Sequence, residues 1–309
     1  MHIDFNALAY LAGQYKTENR MSLLKNAGKG DPAEGEKLLK AEGWFSGDSL
    51  RPDGEALLEV LAAPERSGRV AIREGNVLIE KLGYKKGESY VLAEHTESGF
   101  EVSRSESLQP VLMALSQVTG MSRVVAYDLE LELSSEDALI YLGLVDLYRK
   151  TAMLGLWSVP VPDVNVEALA AHLAAPVAGS LVAMVKDRRD FEVTLKPADL
   201  KARLVSGLGA ASEATSGLVK MLDSGDLRLA GDHGKFAMEF LVPRAVTTLE
   251  VFNQVGDKLA GSEAMVVSAG LNEHLLIKFG GGQCALSLIS GSYLLKLIEN
   301  VLKAPALEV

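Results

Sequence analysis

The sequence predicts an α+β fold of two related halves, each an antiparallel meander packed with helices. Three features predict it: a helix-plus-hairpin pattern that recurs, closely spaced turns that contain glycine, and a proline-rich break near the middle of the chain. Helices and strands come in runs and do not alternate one by one, which favours α+β over a parallel α/β sheet.

The recurring pattern is a short helix that ends in Ala-Ala-Pro and is followed by two strands. It occurs at Glu55–Pro64 and again at Glu167–Pro176, where seven of ten residues are identical. Strands are expected after the second copy at 181–186 and 190–196, and a looser third copy is expected at 246–279. A duplication of this kind would relate the halves by a pseudo-twofold axis. Chance similarity of two amphipathic helices is the alternative.

The first predicted half covers residues 1–156. Asp4 and Asp31 precede helical patterns and are predicted N-caps, and Gly43 is expected to end the second helix. The elements expected after it are helix 53–62, strands 70–72, 77–82, 90–93 and 100–102, a helix from 105 or 107 to about 118, strand 124–133 and helix 138–150. Tight glycine-containing turns separate the first four strands, which predicts an antiparallel meander.

The sequence Val-Pro-Val-Pro within residues 157–163 predicts a linker, so the second half covers residues 164–309. Proline lacks a backbone donor and interrupts regular structure. The elements expected in this half are helix 164–174, the two strands given above, helix 198–222, a hairpin of 227–230 and 236–242 that turns at 231–234, helix 245–259, strands 263–269, 272–279 and 283–288, and helix 290–303.

Composition restricts the classes of protein that fit. The formal net charge of −10 opposes general binding to nucleic acid or anionic membranes, because phosphates repel a negative surface. Cys284 is the single cysteine, so a disulfide within the chain is excluded. The first residues lack the features of a signal peptide, and no uncharged apolar run reaches the roughly 18–20 residues of a membrane helix. We therefore expect a cytoplasmic protein without membrane contact.

The motifs of common enzyme classes are missing from the sequence. There is no P-loop, no dinucleotide-binding glycine motif, no nucleophile elbow and no His-Glu-x-x-His helix. Ser22 and Lys25 have the Ser-x-x-Lys spacing of penicillin-binding enzymes without the other elements of those enzymes. The five histidines are scattered singly and are interpreted as solvated turn residues. We expect no conventional catalytic constellation, no metal and no cofactor.

Residues 65–88 form a basic segment with six Lys or Arg against four Glu. Helices followed by a basic hairpin are typical of winged helix–turn–helix proteins. The preceding helix carries Asp53, Glu55 and Glu59, which would repel DNA phosphates. A ligand-sensing or DNA-binding transcriptional regulator is therefore the alternative function, and nucleic-acid binding is disfavoured.

The stretch Gly43–Glu65 reads Gly-Trp-Phe-Ser-Gly-Asp-Ser-Leu-Arg-Pro-Asp-Gly-Glu-Ala-Leu-Leu-Glu-Val-Leu-Ala-Ala-Pro-Glu. It resembles the front half of EspG-type chaperones of type VII secretion, and Leu133–Lys150 is similar to that family's mid-chain helix. The resemblance covers about a third of the chain, and the second half lacks the family's Gly-rich closing strand pattern. It implies a cytosolic, non-enzymatic chaperone or adaptor whose sheet and loops hold a helical tip of a secretion substrate.

The candidate partner-binding residues are four aromatic rings and two lysines: Trp44, Phe45, Tyr84, Lys85, Lys86 and Tyr90. A helical partner needs apolar anchors beside polar rim groups, and these residues lie near predicted loops. Binding requires at least two of the four rings to be substantially exposed. The alternative is that all four are core residues. The expected partner is a protein, and neither its identity nor an oligomeric state is predicted.

Overall fold

The computed structural model describes residues 1–28, 30–104, 107–160, 163–188, 191, 195, 197–206, 218–255, 258–271 and 273–303. Helices and antiparallel strands are both abundant, so the predicted α+β class is confirmed. Two compact units can be distinguished. Unit 1 contains the described parts of Met1–Val118, Thr247–Ala264 and Tyr293–Val309, and unit 2 those of Thr119–Val246 and Met265–Ser292. No segment of either unit begins or ends within the linker predicted at 157–163.

Unit 1 contains a sheet and five helices among its described residues. Its elements are β1 (His2–Asp4), α1 (Phe5–Gln14), a 3-10 turn (Leu23–Asn26), α2 (Pro32–Ala41), β2 (Phe45–Ser46), β3 (Ser49–Leu50), α3 (Pro52–Ala62), β4 (Arg66–Glu74), β5 (Val77–Lys86), β6 (Ser89–His95), β7 (Gly99–Ser103) and α4 (Gln109–Thr119). Most of β11 (Ala245–Val255), the first part of β12 (Lys258–Ser268) and most of α10 (Gly291–Lys303) complete it. Hydrogen bonds join its strands in the order β1-β7-β6-β5-β4-β11.

The predicted helix signals act as expected in unit 1. The Asp4 carboxylate accepts a hydrogen bond from the amide of Ala7 at 2.6 Å, and the Asp31 carboxylate accepts from Ala33 at 2.9 Å. Gly43 follows α2 with a φ of +77°, a conformation that a residue with a Cβ atom rarely adopts. The meander β4 to β7 is also confirmed, because each of its strands pairs antiparallel with the next.

The sheet of unit 1 is in close contact with α10. A Cβ atom on Gly68 would lie 1.9 Å from the carbonyl oxygen of Val301, and one on Gly83 would lie 1.9 Å from that of Leu302. Both distances are far below van der Waals contact. The two glycines therefore allow the helix backbone to approach β4 and β5.

Unit 2 is organised around one long helix. Its elements are β8 (Glu130–Ser134), α5 (Ser135–Leu156), α6 (Val166–Ala174), α7 (Leu181–Lys186), α8 (Pro197–Ser206), β9 (Val219–Met221), β10 (Leu227–Leu229), α9 (Gly231–Glu239), the end of β12, β13 (His274–Gly280) and β14 (Gln283–Ile289). Its strands pair in the order β12-β13-β14-β8, and β9 pairs with β10. The hydroxyl of Ser134 caps α5 by accepting from the amide of Asp137.

Several predicted elements of the second half are wrong. Residues 181–186 form helix α7 and not a strand, because Ser180 caps the segment and Leu181, Val182 and Val185 are buried at helical spacing. Of the strand predicted at 190–196, only residues 191 and 195 lie within the described ranges. The helix-plus-hairpin repeat is therefore not confirmed.

The helix predicted at 245–259 is also wrong, because its described residues belong to β11 and to the start of β12. β-branched Val246, Thr247 and Thr248 lose side-chain freedom in a helix and favour a pleated strand. Of the helix predicted at 198–222, residues 198–206 lie in α8, 219–221 form strand β9, and 207–217 lie outside the described residues. The helix expected to reach 150 continues to Leu156, and the strand predicted at 124–133 is limited to β8.

His274 is not a solvated turn residue as predicted, because it is fully buried. Its Nε2 donates to the carbonyl oxygens of Thr119 at 2.7 Å and Leu271 at 3.1 Å, and its Nδ1 accepts from the hydroxyl of Ser268 at 2.8 Å. Burial lowers the pKa of His274, which favours the neutral ring in this arrangement. Cys284 is buried. Within the described ranges, no three His, Cys, Asp or Glu side chains could share a metal ion, and no helix is long and apolar enough to span a bilayer.

Candidate protein-binding surface

Two of the four predicted aromatic anchors lie in the core of unit 1. Trp44 is 1% exposed and Tyr84 is 3% exposed. Gly54 of α3 lies against the Trp44 ring, where an added Cβ atom would be 3.2 Å from it. Burial also raises the pKa of Tyr84. The prediction that these two rings anchor a partner is therefore corrected: neither ring can be reached without disturbing the core.

Phe45 and Tyr90 are half-buried, so the condition that two of the four rings be substantially exposed is not met. Phe45 packs edge-on against Tyr10, and the ammonium group of Lys40 lies 5.7 Å from its ring centre. Tyr90 faces Lys85 across β5 and β6. Its buried hydroxyl has no hydrogen-bond partner within the described part of the chain. Partner binding at these residues stays a prediction.

Three of the six cations in the basic segment of unit 1 pair with carboxylates. Arg69 donates to Glu80 at 2.5 Å and to Glu250 at 2.7 Å. Lys81 pairs with Glu94, and Lys86 pairs with Glu59 at 2.8 Å. Paired cations of this kind offer little free positive charge to phosphates. The structure therefore gives the DNA-binding alternative no support.

An exposed apolar surface occurs instead in unit 2, at the end of α5. The first part of this helix is buried almost all round, but its last turn extends beyond the core. Leu156 is 71% exposed and Trp157 is 77% exposed. Met238 of α9, a helix that packs beside α5, is 49% exposed. Large exposed side chains that cluster in this way are characteristic of binding sites.

The end of α5 is closed by backbone hydrogen bonds that hold Trp157 outward. The amide of Val159 donates to the carbonyl of Leu154 at 3.0 Å, and that of Ser158 donates to Gly155 at 3.1 Å. This is the Schellman pattern, which places one residue in the left-handed region. Here that residue is Ser158, with a φ of +55°. The chain therefore leaves α5 directly after the exposed Trp157, through a conformation that is unfavourable for serine.

A cavity of about 630 Å³ lies beside Leu156, between the last turns of α5 and α9. It is lined by Thr151, Ala152, Gly155, Leu156, Lys235, Met238, Glu239 and Leu241. Lys235 and Asp232 form an exposed ion pair of 2.9 Å near this edge. We call Leu156, Trp157, Met238 and Leu241, with this cavity, the Trp157 surface. It combines apolar anchors with a charged rim, as protein interfaces do.

A second cavity, of about 410 Å³, shares Glu239 and Leu241 with the first. Its walls include Tyr127, Phe240 and Val242. The Tyr127 hydroxyl donates to the Glu239 carboxylate, and this hydrogen bond is the main cause that raises the pKa of Tyr127 to about 12. The second cavity therefore extends the Trp157 surface and adds both apolar and polar groups to it.

Sequence reasoning missed this surface because it assigned its parts wrongly. Trp157 was expected in a linker, and a hairpin of 227–230 and 236–242 was expected to turn at 231–234, where α9 begins instead. The spacing of Phe236 and Phe240, four residues apart, was the available signal for a helix. Both side chains are in fact buried against the core of unit 2.

No family model matches the chain, and no curated protein matches it. Among solved structures, it is similar to the type VII secretion system chaperone EspG5 of Mycobacterium tuberculosis, whose structure contains the PE25–PPE41 dimer. The match has a TM-score of 0.52 at 10% sequence identity and covers 97% of this chain and 95% of that chain. The similarity is one of fold, and it confirms the resemblance to EspG-type chaperones that the sequence predicted.

Proposed function

We propose that the chain is a non-enzymatic, cytoplasmic chaperone or adaptor that binds a helical segment of a partner protein. The observation that carries the proposal is the likeness of the fold, over nearly the full length, to a secretion chaperone in complex with a protein dimer. A fold shared at 10% identity supports a class of function and leaves the partner open.

The Trp157 surface supports a location for the partner. An amphipathic helix presents apolar side chains three or four residues apart, and such anchors fit a groove with an apolar floor and polar edges. The cavity beside Leu156 can take one large side chain of a partner, and Trp157 can pack over it. Tryptophan is among the residue types that contribute most to interface energy. Lys235 and Glu239 at the edge would set the orientation of the partner.

The test is capture of proteins from a lysate of the native host by three forms of the tagged chain: wild type, Trp157→Glu and Val77→Glu. Val77 is a matched control, because it is 61% exposed and lies in unit 1. We expect wild type and the control to retain the same protein. Trp157→Glu should bind the purified partner at least about 30-fold more weakly, which corresponds to a hot-spot loss of about 2 kcal/mol.

Equal retention by all three forms would contradict the location of the site and leave the function open. If wild type retains no protein reproducibly above a tag-only control, the proposed function itself is wrong. If wild type does retain a partner, circular dichroism of the purified partner segment, alone and with the chain, decides whether the bound segment is helical.

A further inference from the structure

A separate cavity of about 630 Å³ lies in unit 2, between α5, α6 and the segment that leads into α7. Its lining divides into two parts. The polar part contains Asp146, Arg149, Lys150 and His172, and the apolar part includes Leu154 and the small side chains of α6. The volume is within the range of pockets that hold small molecules.

Asp146 at the polar end is already fully partnered. Its carboxylate accepts from the backbone amides of Leu181 at 2.9 Å and Val182 at 3.1 Å, and from Nε2 of His172 at 3.1 Å. Nη2 of Arg149 lies 3.3 Å from the same carboxylate. Both oxygens are therefore occupied, and Asp146 holds the polar end together without offering a free acceptor.

Arg149 has one group that this network leaves unpaired. The residue is 9% exposed, and its buried Nη1 has no hydrogen-bond partner among the described residues. A buried N–H without an acceptor is unfavourable, and burial accordingly lowers the pKa of the guanidinium. Since the planar guanidinium matches the geometry of a carboxylate, an anion is the acceptor that would best satisfy Nη1.

The other charges at the cavity restrict the ligand further. Lys150 adds an exposed positive charge, while the exposed Asp163 adds a negative one. Asp146 is compensated by Arg149, and Lys150 is balanced by Asp163, so the lining has no surplus positive charge for a ligand with more than one negative charge. The exposed faces of Ala171 and Ala175 offer an apolar wall that a short hydrocarbon chain can cover.

We propose that this cavity binds a small monocarboxylate with an apolar body. The carboxylate lies at the Arg149 end and accepts from Nη1, and the guanidinium must turn towards the cavity for this because Nη1 is buried. The apolar body lies along the alanines of α6. The site shares Thr151 with the cavity of the Trp157 surface but uses none of the anchors of that surface, so it is tested without any partner protein.

The probe is octanoate, measured by isothermal titration calorimetry on the full chain. Octanol has the same chain without the charge, and acetate has the charge without the chain. We expect saturable binding of octanoate that is about tenfold or more tighter than that of either comparison compound, because both the charge-assisted hydrogen bond and the apolar contact are needed. Absence of saturable octanoate binding, or equal binding of octanol, would overturn the proposal.

Two variants on α6 locate the site. Ala171→Phe fills the cavity, whereas Ala174→Phe changes an exposed residue of the same helix that lies outside the lining. The first should weaken octanoate binding by about tenfold or more, and the second should leave it unchanged. Arg149→Met should abolish the preference for octanoate over octanol. If Arg149→Met does not fold, the Ala171→Phe result still decides whether octanoate binds in this cavity. Equal binding by both phenylalanine variants would contradict the assignment.

Discussion

The β5–β6 hairpin of unit 1 and the α5–α9 edge of unit 2 contain similar kinds of residue but use them differently. In the hairpin, Tyr84 is buried and Lys86 is paired with Glu59. At the α5–α9 edge, Leu156 and Trp157 are more than two-thirds exposed. Aromatic and basic residues close together in sequence therefore do not define a binding surface. What defines it is apolar area that the fold leaves without intramolecular contacts.

The chain's two tryptophans allow the sharpest test of this difference, since Trp44 is buried in the core of unit 1 and Trp157 is exposed at the α5–α9 edge. Trp44→Ala should lower the free energy of unfolding by about 3–5 kcal/mol, because it removes a fully buried ring. Trp157→Ala should change it by less than about 0.5 kcal/mol, because that ring has little to lose on folding. Urea unfolding measures both values.

Fluorescence quenching by acrylamide gives an independent measurement on the same pair. The Trp44→Ala protein, which retains Trp157, should be quenched readily, and the Trp157→Ala protein should be protected. Protection of Trp157 in the isolated chain would remove the basis for a binding surface there.

Close packing in unit 1 predicts the next largest effect. Gly83→Ala places a Cβ atom 1.9 Å from the carbonyl oxygen of Leu302, so strand and helix must separate. We expect a loss of about 3 kcal/mol, at the upper end of overpacking costs. Gly13→Ala is the control, since nothing lies within 4 Å of its added methyl group and alanine favours the helix. It should stabilise the protein by up to about 1 kcal/mol. Equal effects would mean that α10 does not pack as described.

The elements that sequence reasoning placed correctly are those with strong local signals. Asp4 and Asp31 cap their helices, and the tight turns of β4 to β7 determine the meander. The elements it misplaced have ambiguous patterns. The run Leu181–Lys186 is apolar and short enough to suit either helix or strand. The first amides of α7, those of Leu181 and Val182, also donate to Asp146, which is far away in sequence.

The candidate site was less predictable than the fold for a similar reason. Exposure is a property of tertiary contacts, and no local pattern distinguishes the buried Trp44 from the exposed Trp157. The lack of a hydrogen-bond partner for Nη1 of Arg149 cannot be predicted from the sequence either, because it depends on which acceptors the fold brings near it. Local propensity therefore predicts elements better than it predicts surfaces.

His274 predicts a pH effect of intermediate size in unit 2. Burial lowers its pKa, an effect partly opposed by the carbonyls of Thr119 and Leu271 and by Glu273. The unfolded chain takes up this proton near pH 6.5, whereas the folded chain does so only at lower pH. The unfolded state therefore binds more protons in that window, and stability decreases as pH falls below about 6.5, by at most about 1.4 kcal/mol per pH unit.

His274→Gln cannot titrate, so its free energy of unfolding should vary less between pH 7 and 5 than that of wild type. His95→Gln is the control, because His95 is exposed. Urea unfolding at several pH values measures the slopes. A slope unchanged in His274→Gln and reduced in His95→Gln would assign the pH dependence elsewhere.

The smallest expected effect concerns the lysines that the sequence placed in the binding site. Lys86 pairs with Glu59 on the surface, and this hydrogen bond is the main cause that lowers the pKa of Glu59. Because exposed ion pairs contribute little, Lys85→Gln combined with Lys86→Gln should leave the unfolding midpoint nearly unchanged. If the partner binds at the Trp157 surface, the same double variant should alter the dissociation constant by less than about threefold, the range of charges outside a hot spot. A large loss of binding with normal stability would return the site to unit 1, where the half-buried Tyr90 of β6 and Phe45 of β2 would become the anchors to test.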